Sequence, residues 1–423
     1  MRIPSNTSSN RRGVASLRFP RALAEILAPA RAVARREKAR LYLAGGAVRD
    51  LRLRRPVRDV DLVIVGDLPR FARELSRDLG AHARLHERFD TATIPLSDGT
   101  SVDVARARTE VYDRPGALPR VAAADRIEDD LFRRDFTINA MAIEIAPGRS
   151  LRLVDPYGGR SDLARRRLDI LHPNSFRDDP TRALRAARYA SRLGFAIGPR
   201  TRRALRDAIR DRFFEWISGE RLRREVELLL SEGGRANAVR WIGHLGLGEA
   251  IDPALRVDSR VVARVRRAEQ MAERLHIDVS WLAYLLAWPG PMTASAARAL
   301  AHRLRLAGTE RRIVLASPSR WKRLRASRRL TPSAVAELRL TPEERLAALL
   351  LLPQAARRRL SLSLEASSVQ LSITGADLLR AGWAPGPEIG RALARTLAAR
   401  RDGMIAREQE LDFALGSREQ TTP

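Results

Sequence analysis

The sequence predicts a small mixed α/β unit that ends around residue 150, followed by an all-α array. Short apolar runs of strand length cluster before residue 150, whereas from Leu163 onward the apolar residues recur at helical spacing. No long apolar run occurs. The best candidate, LVIV at 62 to 65, is far too short for a membrane span, so the chain reads as soluble with no membrane partner.

In chain order, residues 1–18 open with MRIPSNTSSNRRG, which is polar and lacks the apolar stretch of a secretory signal. A disordered tail is the expectation, although its Arg- and Ser-rich character faintly mimics a transit sequence. RALAEILAPARAVARREKA then predicts an amphipathic helix. Strands are expected at RLYLAG near 40, DVDLVIV near 59, TATIPL near 91, SVDVA near 101 and NAMAIEI near 139, with FARELSRDLG as a helix among them. Beyond Leu163, helices are broken at Gly194, Gly233, Gly234, Pro289, Pro291 and Pro353. At 423 residues the chain should hold several domains.

Composition narrows the function classes. There is no cysteine, which removes disulfides, thiolate zinc sites and cysteine nucleophiles and fits a reducing, cytoplasmic setting. Any metal must be held by oxygen or by the few histidines. Lysine and arginine total 78 against 50 aspartates and glutamates, a net charge of +28 that favours a polyanionic partner such as nucleic acid.

The richest stretch is LYLAGGAVRDLRLRRPVRDVDLVIVGD, from Leu41 to Asp67. On a strand, Asp59 and Asp61 would project from one face, roughly 7 Å apart, and repel by about 2 kcal/mol. A divalent cation with oxygen ligands would relieve that repulsion, with Asp103 of SVDVA as a third carboxylate. Taken alone, the pair also fits two solvated side chains. Gly45 and Gly46 close one apolar run and open a helical one, so that backbone amides there can face an anion. Arg49 adds a positive charge, or pairs with Asp50. Amides for phosphates beside carboxylates for a metal are the two halves of a nucleoside triphosphate site.

GGAVRD, the DVD after it and DLFRRDFTINAMAI at 130 to 143 resemble the class II tRNA nucleotidyltransferase and bacterial poly(A) polymerase family. VDVARARTEVY, DPYGGRSDLARRRLDI, DDPTRALRAARYASRLGF and GERLRREVELLL follow in the family's order. ITGADLLRAGWAPGPEIGRALARTL is similar to the tail of CCA- or A-adding members. The resemblance covers residues 41 to 230 and 373 to 397. It implies an α/β nucleotidyltransferase (polymerase beta-like) head over 19–150, followed by an all-α neck over 151–235, body over 236–310 and tail over 311–423.

The same resemblance implies that Asp59 and Asp61 hold two Mg²⁺ ions; Asp103, read from its own strand, is the third candidate catalytic carboxylate. Gly45, Gly46 and Arg49 would contact the triphosphate, Arg134 would reach the nucleotide, and Asp135 would lie near its ribose. The implied reaction is attack by an RNA 3′-hydroxyl on the α-phosphate of CTP or ATP, with pyrophosphate leaving. Asp179 and Arg182 match the pair that selects the base. An aspartate accepting from an exocyclic amine and an arginine donating to a ring nitrogen would admit C and A and reject U and G. Spaced three apart, the two are expected to share a helix face. Asp179 also precedes Pro180, where a helix cap belongs. Arg185 and Arg188 match nucleotide-contacting arginines, though Arg188 drifts around the helix and fits an RNA path or an ion pair as well.

Glu220, Arg221 and Glu225 resemble an element that braces the base-selecting helix, with helix-surface ion pairing as the alternative. Asp178 stands where the family has glutamate, and Asp90 where it has glycine. Arginines of RVVARVRR and SRWKRLRASRR would meet the acceptor arm of tRNA, or form a solvated face. Trp321 and Trp383 are expected to pack in cores. The implied function is addition of CCA to the tRNA 3′ end. Poly(A) addition, partial CC-only or A-only addition, and an inactive basic RNA-binding protein are the alternatives. Protein partners are left open.

Overall fold

A computed structural model describes residues 19–57, 59–145, 151–326, 331–366 and 368–416. The tail expected over 1–18 lies outside them. The chain divides into two compact units, one built from residues up to Arg221 with His244–Ala250, the other from Leu222–Gly243 and Ile251 onward.

The first unit is organised by a seven-stranded sheet. Its strands are β1 (Arg40–Ala44), β2 (Val60–Val65), β3 (Arg84–His86), β4 (Thr91–Pro95), β5 (Ser101–Arg106), β8 (Ala142–Glu144) and β9 (Arg152–Val154), in the order β3-β4-β5-β2-β1-β8-β9. A separate antiparallel pair is formed by β6 (Arg108–Val111) and β7 (Arg120–Ala123). Within the large sheet only β2 and β5 run parallel. Alternation does the sorting. Leu41 and Leu43 lie on one face of β1, while Tyr42 and Ala44 join Val63, Ile127, Leu131 and Leu171 in a core on the other. The helices α1 (Arg21–Arg36) and α3 (Leu68–Asp78) pack on each other, and α1 begins where the expected amphipathic run begins and ends three residues before it does.

Two of the expected domain boundaries meet secondary structure. The sheet's last strand, at Arg152–Val154, lies past the boundary expected near 150. The expected division between 310 and 311 falls inside one helix, Gly308–Ala326. The array expected to be all-α from Leu163 onward is corrected at one place, a short parallel pair of Arg167–Leu168 with Ala196–Ile197; among the described residues no strand follows Ile197.

The second unit is helical throughout its described residues. Trp288 is fully buried and donates from Nε1 to Leu255 O at 3.1 Å. Trp321 is buried, and Trp383 packs with Leu378, Ala392 and Ala414 in a C-terminal core. Not every arginine of the basic segments faces solvent. Arg264 of RVVARVRR donates to the carbonyls of Ala287 and Trp288, and Arg320 of SRWKRLRASRR pairs with the buried Glu344. Residues 327–329 of that second segment lie outside the described residues. No described helix is long and apolar enough to cross a membrane.

Candidate active site

Strand register builds the acidic centre. Asp61 of β2 pairs across the parallel ladder with Asp103 of β5, which places both side chains on one face. Thr93 of β4 stands opposite Asp103 and its hydroxyl donates to Asp103 Oδ1 at 2.8 Å. Asp59 does not sit on the strand as expected: it lies in a bend one residue before β2 and is exposed. Burial pushes the Asp61 carboxyl above its ordinary value; Arg134 draws it down, and Asp103 and Asp59 push it up again.

Arg134 is brought to this carboxylate by a glycine. Gly45 has φ +73°, a conformation that disfavours any side chain, and a Cβ there would stand 2.3 Å from Arg134 Nη1 and 3.4 Å from Asp61 Oδ2. The other end of the guanidinium donates to Asp130 Oδ2 at 3.2 Å. Asp130 is fully buried and also accepts from Arg133 Nε at 2.9 Å. Burial alone would raise its carboxyl, but Arg134 and Arg133 together hold it below the ordinary value. Sequence reasoning did not single out Asp130, although a carboxylate four residues before Arg134 on a helix was the available signal. One expectation about the glycine turn is corrected: the Gly45 amide donates to Met141 O at 3.1 Å and so is not directed at a phosphate.

A second cluster links Arg49, Asp135 and Arg185. The helix α2 (Gly46–Arg52) carries Arg49, which grips Asp50 with Nε and Nη2, both at 2.8 Å. Arg49 Nη1 donates to Asn139 Oδ1 at 2.7 Å, and Asn139 Nδ2 donates to Asp135 Oδ1 at 2.8 Å. Asp135 Oδ2 accepts from Arg185 Nε at 2.9 Å and Nη2 at 2.7 Å. Asp135 is therefore a buried anchor for Arg185, with both carboxylate oxygens engaged by protein. The ring of Tyr189 gathers Arg49, Arg185, Arg188 and Arg192, whose guanidinium carbons lie 4.8 to 5.6 Å from its centroid. Tyr189 and Asn139 were missed in the sequence because neither residue type advertises the role.

The expected shared helix face of Asp179 and Arg182 is corrected. Asp179 is extended, at φ −137° and ψ 95°, and precedes the helix Arg182–Leu193. Proline at 180 explains this, since its ring disfavours helical backbone in the residue before it. Asp179 Oδ1 takes the Thr181 N–H and hydroxyl, at 3.0 and 2.6 Å, and Arg221 Nη2 at 2.7 Å. Its Oδ2 accepts no hydrogen bond among the described residues. Arg182 is buried and donates to Ser175 Oγ at 2.9 Å and to Arg133 O at 2.6 Å, which ties it to the Arg133–Asp130 pair. Asp90 occupies the left-handed region at φ 48°, ψ 52°, so it takes the conformation a glycine would favour.

The donor set suits a hard cation. Asp59, Asp61 and Asp103 offer only oxygen, and the proton affinity of Asp61 is raised in part by the two neighbouring carboxylates. Among the described residues, however, no three acidic or histidine side chains converge tightly enough to form a closed ligand cluster.

The sheet, its glycine turn and the paired carboxylates define a nucleotidyltransferase head. The Poly A polymerase head domain family matches residues 41–169. An A-adding tRNA nucleotidyltransferase of Geobacter sulfurreducens is 36% identical over 253 residues, covering 58% of this chain but only 29% of that protein. A CC-adding tRNA nucleotidyltransferase of Deinococcus radiodurans is 32% identical over 383 residues, covering 89% of this chain and 88% of the relative. The structure of a Thermotoga maritima CCA-adding enzyme complexed with tRNA aligns with a TM-score of 0.74 at 27% identity, covering 96% of this chain and 97% of the other. The chain belongs to the tRNA nucleotidyltransferase family, whose members are metal-dependent.

Proposed function

We propose that the chain adds C and A to the 3′ end of tRNA, using CTP and ATP. The RNA 3′-oxygen bonds to the α-phosphorus as the bond to pyrophosphate breaks. The observation that carries this reading is Asp61 in register with Asp103, with Arg134 held beside Asp61 over Gly45. Asp59 and Asp61 would hold Mg²⁺, which when bound supplies Lewis-acid stabilisation of charge on the phosphate oxygens and of the attacking oxygen. Arg134 sits where it can meet the charge of the triphosphate, and Arg49, Arg185 and Arg188 are locked in place around Tyr189. Asp179 keeps Oδ2 for an exocyclic amine while Oδ1 is fixed by Arg221 and Thr181. Arg182 supplies the donor once its guanidinium turns from Ser175. The cytoplasm, where tRNA and both nucleotides meet, is the setting for this chemistry.

CC-only addition is the second reading, favoured by the nearly full-length similarity to a CC-adding relative. Transcripts ending before CCA, after C and after CC, offered single labelled nucleotides with Mg²⁺, separate the readings by product length. Complete CCA on the shortest transcript supports the first. Arrest after CC selects the second, and long A tracts on unrelated RNA indicate polyadenylation instead.

A further inference from the structure

We propose that Trp216 and Arg114 form a stacking platform for the unpaired 3′ end of the RNA substrate, an inference that rests on the reading of this chain as an enzyme of RNA 3′ ends. Trp216 closes a short 3-10 turn, Phe213–Trp216, just before the helix Gly219–Ser231. Phe214 and Ile217 beside it are buried, whereas the indole is 53% exposed. The other tryptophans considered above, at 288, 321 and 383, are all buried. The guanidinium of Arg114 lies over the indole at 5.7 Å from its centroid. Arg114 is exposed and pairs with no carboxylate among the described residues.

The neighbouring charges are already spent. Arg120 pairs with Asp113 at 2.8 Å, and Glu215 is held by Arg212 at 2.6 Å, so the carboxylates next in sequence to Arg114 and Trp216 are both compensated. What remains is a flat aromatic face with one unpaired cation, which complements a nucleobase and its phosphate.

Position favours the RNA end over other ligands. The loop between β6 and β7 packs on the turn: a Cβ at Gly116 would lie 3.0 Å from Trp216 O. Arg221 donates from Nη1 to Gly116 O and from Nη2 to Asp179 Oδ1, each at 2.7 Å. One arginine thus ties the platform to the aspartate assigned to reading the incoming base. The last bases of an RNA being extended must lie close to the incoming nucleotide. Stacking tolerates any base, which suits an end whose sequence changes with each addition.

The test is the affinity of a fluorescein-labelled tRNA-like minihelix ending in CC, measured by anisotropy near physiological salt. Trp216→Ala should weaken binding about 5- to 150-fold, as expected for one lost base stack. Trp216→Phe should stay within about threefold, Arg114→Ala should weaken binding and flatten its salt dependence, and CTP affinity should be unchanged in all three. Thermal melting identifies any variant that fails to fold, and Trp216→Phe then carries the comparison against Trp216→Leu. Binding by Trp216→Ala within twofold of wild type, or an equal loss in Trp216→Phe, overturns the proposal. If wild type extends RNA while Trp216→Ala binds normally, only the platform falls. If wild type binds the minihelix through Trp216 but transfers nothing, the transfer reading falls and the platform stands. No binding by wild type removes both.

Discussion

Arg221 fixes one oxygen of Asp179, donating from Nη2 to Oδ1 at 2.7 Å, and leaves Oδ2 without a hydrogen bond among the described residues. A carboxylate held this way cannot swing to accept from a mismatched base, so discrimination depends on the brace as well as on the aspartate. Arg221→Ala should therefore raise misincorporation of UTP relative to CTP roughly tenfold while slowing CTP addition less. That tenfold corresponds to about 1.4 kcal/mol, close to the lower end of what one charge-assisted hydrogen bond contributes. Competition assays with paired nucleotides read the ratio directly. Unaltered selectivity would separate Arg221 from base choice.

Gly45→Ala sets a methyl group against Arg134. The backbone at φ +73° and ψ −133° costs an alanine about 1–3 kcal/mol, and the Cβ at 2.3 Å from Nη1 forces the guanidinium aside. Because that nitrogen is the free end of a flexible side chain, the fold should survive with a melting temperature only a few degrees lower. The KM for nucleotide should rise about tenfold or more as Arg134 leaves Asp61. An unchanged KM with the same thermal loss would show that Arg134 has no part in holding nucleotide.

The strands that carry the acidic centre were legible because β1, β2, β4 and β5 are apolar runs closed by polar or glycine residues. By contrast, Arg84–His86 is exposed at all three positions and forms a strand only because β4 offers it an edge. Arg152–Val154 is likewise recruited by β8. The extended backbone at Asp179 could have been read from Pro180, but three-residue spacing suggested a shared helix face instead. Asp130 gave less warning. A buried carboxylate makes sense only once Arg133 and Arg134 are known to converge on it, and that convergence is tertiary.

Asp130→Asn would leave two arginines beside a buried neutral amide. Breaking a buried ion pair from one side costs about 3–5 kcal/mol, because the partner charge stays behind. Arg133 keeps Glu110 at 2.9 Å, so the lower end of that range is expected. The carboxyl is depressed in the folded state, so its contribution is present above the unfolded pKa and is lost as pH falls through the folded value. Urea melts of wild type and Asp130→Asn should accordingly differ most at neutral pH and converge in acid. A difference that grows toward acid would contradict the pairing.

Asp61 carries the opposite sign, and the two variants together test the electrostatic picture of the centre. Its folded pKa is raised above the ordinary value of 3.8, by burial first and by Asp103 and Asp59 after. A carboxyl that holds its proton more tightly when folded destabilises the metal-free protein as pH rises from the unfolded pKa through the folded one. The penalty is constant above that window and absent below it, and within it each pH unit adds at most about 1.4 kcal/mol. In chelator, Asp61→Asn should match wild type near the bottom of the window and become the more stable protein as pH climbs. Adding Mg²⁺ at neutral pH should reverse the order, because the cation stabilises only the form that retains the carboxylate ligand. Transfer should be abolished in Asp61→Asn while RNA binding survives. A stability difference that is flat with pH, or a magnesium response equal in the two proteins, would mean that Asp61 is not where the cation and its neighbours' charges meet.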